Sequence, residues 1–106
     1  MISKKKHDDI VQMREGISRQ NLVNGDHTHL VKFFVEKRAT MPTHSHKEEQ
    51  TGYLIKGRII MTIDGVDHEL GAGDSWSIKG HIPHSVSVIE DSVILDVFSP
   101  VRTEFL

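Results

Sequence analysis

The sequence contains no cysteine. Disulfide frameworks and thiolate metal sites are therefore excluded. No apolar run approaches the length that spans a bilayer. The first ten residues, MISKKKHDDI, have the charge of a secretory leader but lack its apolar segment, so the expected compartment is the cytoplasm. An excess of charge of one sign is also missing. Thirteen Lys and Arg are interspersed with 15 Asp and Glu, for a formal net charge of -2. A nucleic-acid surface would need a basic stripe. The only basic run, Lys4-Lys5-Lys6, is followed at once by His7-Asp8-Asp9 and reads as a solvated tail. Internal repeats, low-complexity segments and linkers rich in Pro, Gly or Ser are absent as well. What the sequence does have is histidine, eight residues against one Trp and one Tyr. Histidine is a common metal ligand and the side chain that titrates nearest neutrality.

A length of 106 residues fits one compact domain with a single core, with residues 1–14 as an N-terminal tail or edge segment. No long segment has convincing helical periodicity, and DDIVQMR (8–14) fits either one helical turn or a short edge strand. From residue 28 onward the pattern is short and alternating. Val31, Phe33 and Val35 share one strand face, as do Ile59, Met61 and Ile63. Asp64-Gly65 between two such runs is a tight-hairpin signal, because both turn positions need positive φ. GAGDSWSI reads as a glycine turn entering a strand. HSVSVIE and SVILDVFS read as two further strands joined by a turn near Glu90-Asp91. Short strands at regular spacing predict an all-β sandwich or barrel.

The chemistry gathers around residues 41–59, MPTHSHKEEQTGYLIKGRI. On a strand, His44 and His46 point the same way, and two imidazoles side by side can close on one ion. Gln50 can offer an oxygen to the same ion, and His84 stands at the mouth of another strand in GHIPHSV. A His-x-His pair alone is equally compatible with an ordinary surface loop.

The surrounding motifs add more. HSHKEEQTGYLIKG and GDSWSIKGHIPHSV, in that order, resemble the two sequence motifs of a small single-domain cupin. The first departs from the family pattern in two places. Its opening glycine is replaced near Arg38-Ala39, and Gln50 stands where a glutamate is usual, with Glu48 and Glu49 close by as shifted candidates. Within the cupins, the ending LDVFSPVRTEFL and the layout of residues 15–46 resemble the KdgF-like group, which is linked to degradation of pectin and alginate uronates. The resemblance covers roughly residues 15–106.

The resemblance implies a double-stranded β-helix, a jelly-roll barrel with one divalent metal ion inside, held by His44, His46, Gln50 and His84. Imidazole ligands suit Fe, Ni, Mn or Zn. A neutral ligand set leaves the ion its full charge at the open positions, where it acts as a Lewis acid. Asp96, Phe98 and Arg102 match the positions that handle substrate in the KdgF-like group, with Asp96 and Arg102 as the catalytic candidates. On alternation, Ile94, Asp96 and Phe98 share one strand face. Tyr53 is a further candidate for substrate contact, although Tyr53 and Trp76 also suit core or rim packing. Of the remaining histidines, His27 and His29 form a second pair with no companion motif. His68 is expected on a hairpin surface, His81 at the pocket rim and His7 in the tail.

Three functional readings follow. The first is ketonisation of an unsaturated uronate or related small sugar acid. The second is a cupin dioxygenase or isomerase with a redox metal. The third is a non-catalytic small-molecule-binding module. Sensors of the third kind are usually fused to a helix-turn-helix segment, and none is expected here. The expected partners are a small-molecule substrate and a second copy of the chain in a homodimer, because small cupins leave sheet edges that invite pairing. Neither a nucleic acid nor a membrane is expected.

Overall fold

Alternating apolar residues set the architecture, seen in a computed structural model whose described residues are 1–5 and 9–106. Lys6, His7 and Asp8, part of the expected tail, lie outside the described residues. The strands are β1 (Ile10–Arg14), β2 (Ile17–Asn24), β3 (His29–Val35), β4 (Thr40–His44), β5 (Glu49–Ile63), β6 (Val66–Gly71), β7 (Ser75–Ile78) and β8 (His84–Ser99), followed by one 3-10 turn, Thr103–Phe105. All pairings are antiparallel, in the order β1-β2-β3-β8-β5-β6, with β4 on β8 and β7 on β5. This is the all-β jelly roll that the sequence predicts. Within DDIVQMR, of which Asp8 lies outside the described residues, Ile10–Arg14 form the edge strand β1, which among the described residues pairs with β2 alone.

Two long strands hold both layers together. The first half of β8 pairs with β4 and with the second half of β5, and its second half pairs with β3 and the first half of β5. Here the structure corrects the sequence reading, since HSVSVIE and SVILDVFS are one continuous 16-residue strand. The exposed pair Glu90-Asp91 marks a bend rather than a turn. β5 bends with it through register shifts between Leu54 and Ile59. Ser92, buried at the bend, donates to the Glu90 carbonyl at 2.6 Å and accepts the Arg58 N–H at 3.0 Å. Gly57 sits opposite at φ +101°, where a Cβ would meet the Ser92 hydroxyl at 2.0 Å. Only glycine fits that close approach, which explains the glycine that closes the first motif. The Asp64-Gly65 hairpin forms as expected, with φ of 49° and 80°.

Pleating carries Val31, Phe33, Val35, Leu54, Ile59, Met61, Val88, Ile94 and Phe98 into one core. The register then orders the inward residues by depth. In one layer His84 stands opposite Ile63, Val86 opposite Met61 and Val88 opposite Ile59. In the other, Phe98 stands opposite Gln50, Asp96 opposite Gly52 and Ile94 opposite Leu54. The polar inward residues therefore collect at the end of the barrel away from the bend, and hydrocarbon fills the layers closer to it.

Candidate metal centre

His44 ends β4 and His84 begins β8, and the two are directly paired across the strands. His46 is not on the strand with His44, as alternation predicts, but in the loop that leads to β5. That loop is held by the His81 backbone N–H, which donates to the His46 carbonyl at 2.7 Å. The three rings still converge. Their centroids lie 4.3 Å apart for His44–His84, 5.0 Å for His46–His84 and 5.8 Å for His44–His46. The ligand-capable nitrogens all fall within 4.8 Å of one another.

Each ring is oriented from behind. The Nδ1–H groups of His44, His46 and His84 donate to the carbonyls of Pro42, Glu48 and Ile82 at 2.9, 2.9 and 2.8 Å. A carbonyl only accepts, so these bonds fix the Nδ1–H tautomer and leave every Nε2 lone pair free. The Nε2 of His46 is buried and has no hydrogen-bond partner. Burial also lowers the pKa of His46, helped by the positive Arg102, and brings His84 down to about 4. His46 and His84 are thus held neutral near pH 7 and ready to ligate. Three inward Nε2 atoms, one of them an orphan, fit a divalent ion, and the all-nitrogen set suits the transition metals and zinc.

Gln50 is buried, faces inward from β5 and neighbours both His46 and Asp96. The shifted carboxylates do not take its place. Glu49 is exposed, and the buried Glu48 sits behind His46, 3.6 Å from its Nδ1 and 4.0 Å from the Arg102 Nε. Asp96 is buried in the next layer, opposite Gly52. A Cβ at Gly52 would lie 2.2 Å from the Trp76 indole nitrogen and 2.3 Å from Asp96 Oδ1. The missing side chain is what lets indole and carboxylate approach. They face each other without the alignment of a hydrogen bond, yet the indole N–H dipole, the Gln50 amide and Arg102 all favour the anion. Burial outweighs them and pushes the Asp96 carboxyl up to about 7.

Arg102 follows β8. Its guanidinium lies over the rings of Phe98 and Phe105, at 5.1 and 4.1 Å, and its Nε donates to Glu104 at 2.9 Å. That ion pair holds the Glu104 carboxyl below its ordinary value. Phe98 is buried beneath the cluster with its ring 5.8 Å from that of His46. His44, His84, Gln50, Asp96, Phe98 and Arg102 all line one cavity. Tyr53 does not. It alternates with the inward Gly52 and Leu54, so it points outward and is 47% exposed, which corrects its reading as a substrate contact.

Sequence reasoning missed His29. His27 is exposed, but His29 is fully buried, with Nε2 2.8 Å from Asn21 Oδ1, while the Asn21 amide donates to the Phe105 carbonyl at 2.5 Å. This pair ties down the C-terminal strap that carries Arg102. The signal was available, because His29 continues the inward alternation of Val31, Phe33 and Val35. His68 is exposed on β6 and His81 is exposed beside the site.

A small antiparallel jelly roll with three converging imidazoles inside defines the class, a cupin barrel with a candidate metal centre. Comparison with known proteins agrees. The cupin domain model matches residues 31–98. The pectin degradation protein KdgF of Dickeya dadantii (strain 3937) is 31% identical over 97 residues, 90% of this chain and 88% of that protein. The structure of KdgF from Halomonas sp. superposes with a TM-score of 0.93 at 25% identity, covering 100% of this chain and 98% of that one. The HTH-type transcriptional regulator PuuR of Escherichia coli (strain K12) is 33% identical over 85 residues, 76% of this chain, which spans just 46% of that regulator's length. The chain belongs to the cupin family and, within it, is a KdgF-like cupin. No helix among the described residues is long and apolar enough to cross a membrane.

Two expected outcomes follow from this geometry. Elemental analysis of untagged protein should find one divalent metal per chain, lost in His44→Ala and in His84→Ala. Gln50→Ala should lose less, because a neutral amide oxygen is a weaker ligand than imidazole for these ions. Metal retained when both histidines are replaced would refute the site. The second outcome concerns pH and chelator-treated protein. Asp96 gives up its proton near 3.8 when unfolded and near 7 when folded. Between those values the folded state holds the extra proton, so the stability is fully present below 3.8 and is lost as pH rises to about 7. The buried histidines, whose pKa values are lowered, contribute the opposite slope over the same range. The Asp96 contribution is therefore read as a difference: in denaturant titrations Asp96→Asn should gain stability relative to the wild type as pH rises from 3.8 to about 7. Equal slopes would mean that Asp96 is not desolvated.

Proposed function

We propose that this cupin is a metal-dependent enzyme that ketonises an unsaturated uronate or a related small sugar acid. The observation that carries the reading is the shared cavity, lined by a buried carboxyl, a guanidinium and the imidazoles of His44 and His84, beside which His46 completes the cluster. The likeness to a pectin degradation protein, KdgF, supports a substrate of this class. A divalent ion held by His44, His46, His84 and Gln50 would supply Lewis acidity toward vicinal oxygens of the substrate.

The remaining work falls to side chains of this chain. Arg102 pairs with the substrate carboxylate through a charge-assisted bond. Its Glu104 partner and the two phenyl rings beneath it fix its direction. Phe98 packs against the reacting end and excludes water. Ketonisation removes a proton from the enol oxygen and adds one to carbon, so no oxidant or reductant is needed. Asp96 suits both halves, because a carboxyl raised to about 7 exists near neutrality as acid and as base. The protein's compartment on this reading is the cytoplasm. A second reading, a non-catalytic small-molecule-binding cupin, draws on the match to PuuR. A metal-dependent dioxygenase or isomerase would differ from the first in consuming oxygen or in its product.

Asp96→Asn should keep metal and fold but lose roughly a hundredfold to ten-thousandfold in rate, the usual cost of removing a general acid/base. The assay is loss of the unsaturated-ring absorbance above the spontaneous rate, with the linear keto acid identified by NMR. A wild type no faster than buffer with every unsaturated uronate would end the uronate reading, and an unimpaired Asp96→Asn would end the role of Asp96.

We also infer a homodimer, since β1 is an open edge whose Ile10 and Val11 are about half exposed. Light scattering at micromolar concentration should give twice the 12.0 kDa chain mass. A monomer throughout would contradict it.

A further inference from the structure

The cavity lined by His44 and His84 has a volume of about 270 Å³, and its polar groups are confined to one end. One register step toward the bend from His84 and Asp96, the inward residues become Val86 and Ile94. Met61 lies opposite Val86 on β5, and Met41 lies opposite it on β4. Phe33 and Met13 complete this inner wall. None of these six side chains offers a conventional hydrogen-bond donor or acceptor. Three of the chain's four methionines stand here, and the fourth, Met1, is 99% exposed. Methionine is the side chain that reshapes most readily around an apolar guest.

We infer that the inner chamber selects the acid's non-reacting part, so that the preferred ligand is a small 2-oxo or enol acid bearing a short alkyl arm. The inference rests on the proposed function for its acid end, with the carboxylate and vicinal oxygen at Arg102 and the histidines. It adds that the rest of the ligand is free of oxygen where it meets Met41, Met61 and Val86. A hydroxyl buried against that wall would lose its water and find no partner. An unsaturated uronate, having lost its C4 oxygen substituent by elimination, meets the requirement in part, whereas an alkyl arm meets it in full.

The test uses zinc-loaded full-length chain with methionine methyls labelled with carbon-13, titrated with pyruvate, 2-oxobutanoate, 2-oxopentanoate, 2-oxohexanoate and galacturonate. Affinity by calorimetry should rise about fourfold for each added methylene, and galacturonate should bind more weakly than 2-oxohexanoate. The Met13, Met41 and Met61 methyl signals should shift with 2-oxohexanoate and much less with pyruvate, while Met1 stays fixed as an internal control. Met61→Gln should bring 2-oxohexanoate down toward the shorter acids. If every acid binds with one affinity, or galacturonate matches 2-oxohexanoate, the chamber does not select an apolar arm and the inference falls while the acid-binding reading stands. If no acid binds the zinc-loaded chain, both are overturned.

Discussion

Three N–H groups turned away from the cavity make the rest of the site possible. Each Nδ1–H of His44, His46 and His84 is spent on a carbonyl two residues away in sequence. Without those bonds each ring could flip or change tautomer, and a buried N–H would face hydrocarbon with no partner. With them the outer side of every ring is satisfied and the inner nitrogens are left with unused lone pairs. The buried orphan Nε2 of His46 is the cost of that arrangement. A fold that places such an atom in its interior gains from anything that binds it, which is why the donor set reads as a binding site rather than as core packing.

The bend of β8 converts this local order into a site. Because one strand runs through both layers, His84 at its start and Asp96 near its end face the same space from opposite walls. A turn at Glu90-Asp91 would let the halves move independently. A continuous strand, pinned by Ser92 and by the close approach at Gly57, fixes their separation. The C-terminal strap then brings Arg102 to the same end, anchored by the buried His29–Asn21 pair and by Arg19, whose guanidinium lies 4.4 Å over the Phe105 ring.

Much of this was legible in the sequence because it depends on alternation and spacing. The inward sets on β3, β5 and β8, the Asp64-Gly65 hairpin and the residues of the histidine cluster all follow from period-two patterning and motif order. What the sequence hid depends on how strands continue. Glu90-Asp91 has the composition of a turn, and only the paired register shifts in β5 make it a bend. His46 reaches the cluster from a loop, which alternation along β4 cannot foresee. Tyr53 was misjudged for the opposite reason, since the period of two already put it on the face opposite Gly52. Asp96 beside Trp76 could not be paired from sequence, because what joins them is the space left by Gly52 on a third strand.

Charge balance ties these features to function. The inward ligand set is neutral, so on the proposed reading a bound ion brings its full double charge into a cavity that Arg102 already makes positive. Glu48 and Glu104 flank Arg102 from outside the cluster. Asp96 is the one acid among the described residues that line the cavity, buried where it would otherwise stay half protonated near neutral pH. A metal ion bound by the histidines would therefore draw Asp96 toward its ionised form, and an entering carboxylate would compete with it for the same positive charge. Substrate binding would then push the proton back onto Asp96. On the proposed reading, the carboxyl whose burial costs the folded chain stability would in this way take up a proton as substrate arrives and pass it on to carbon.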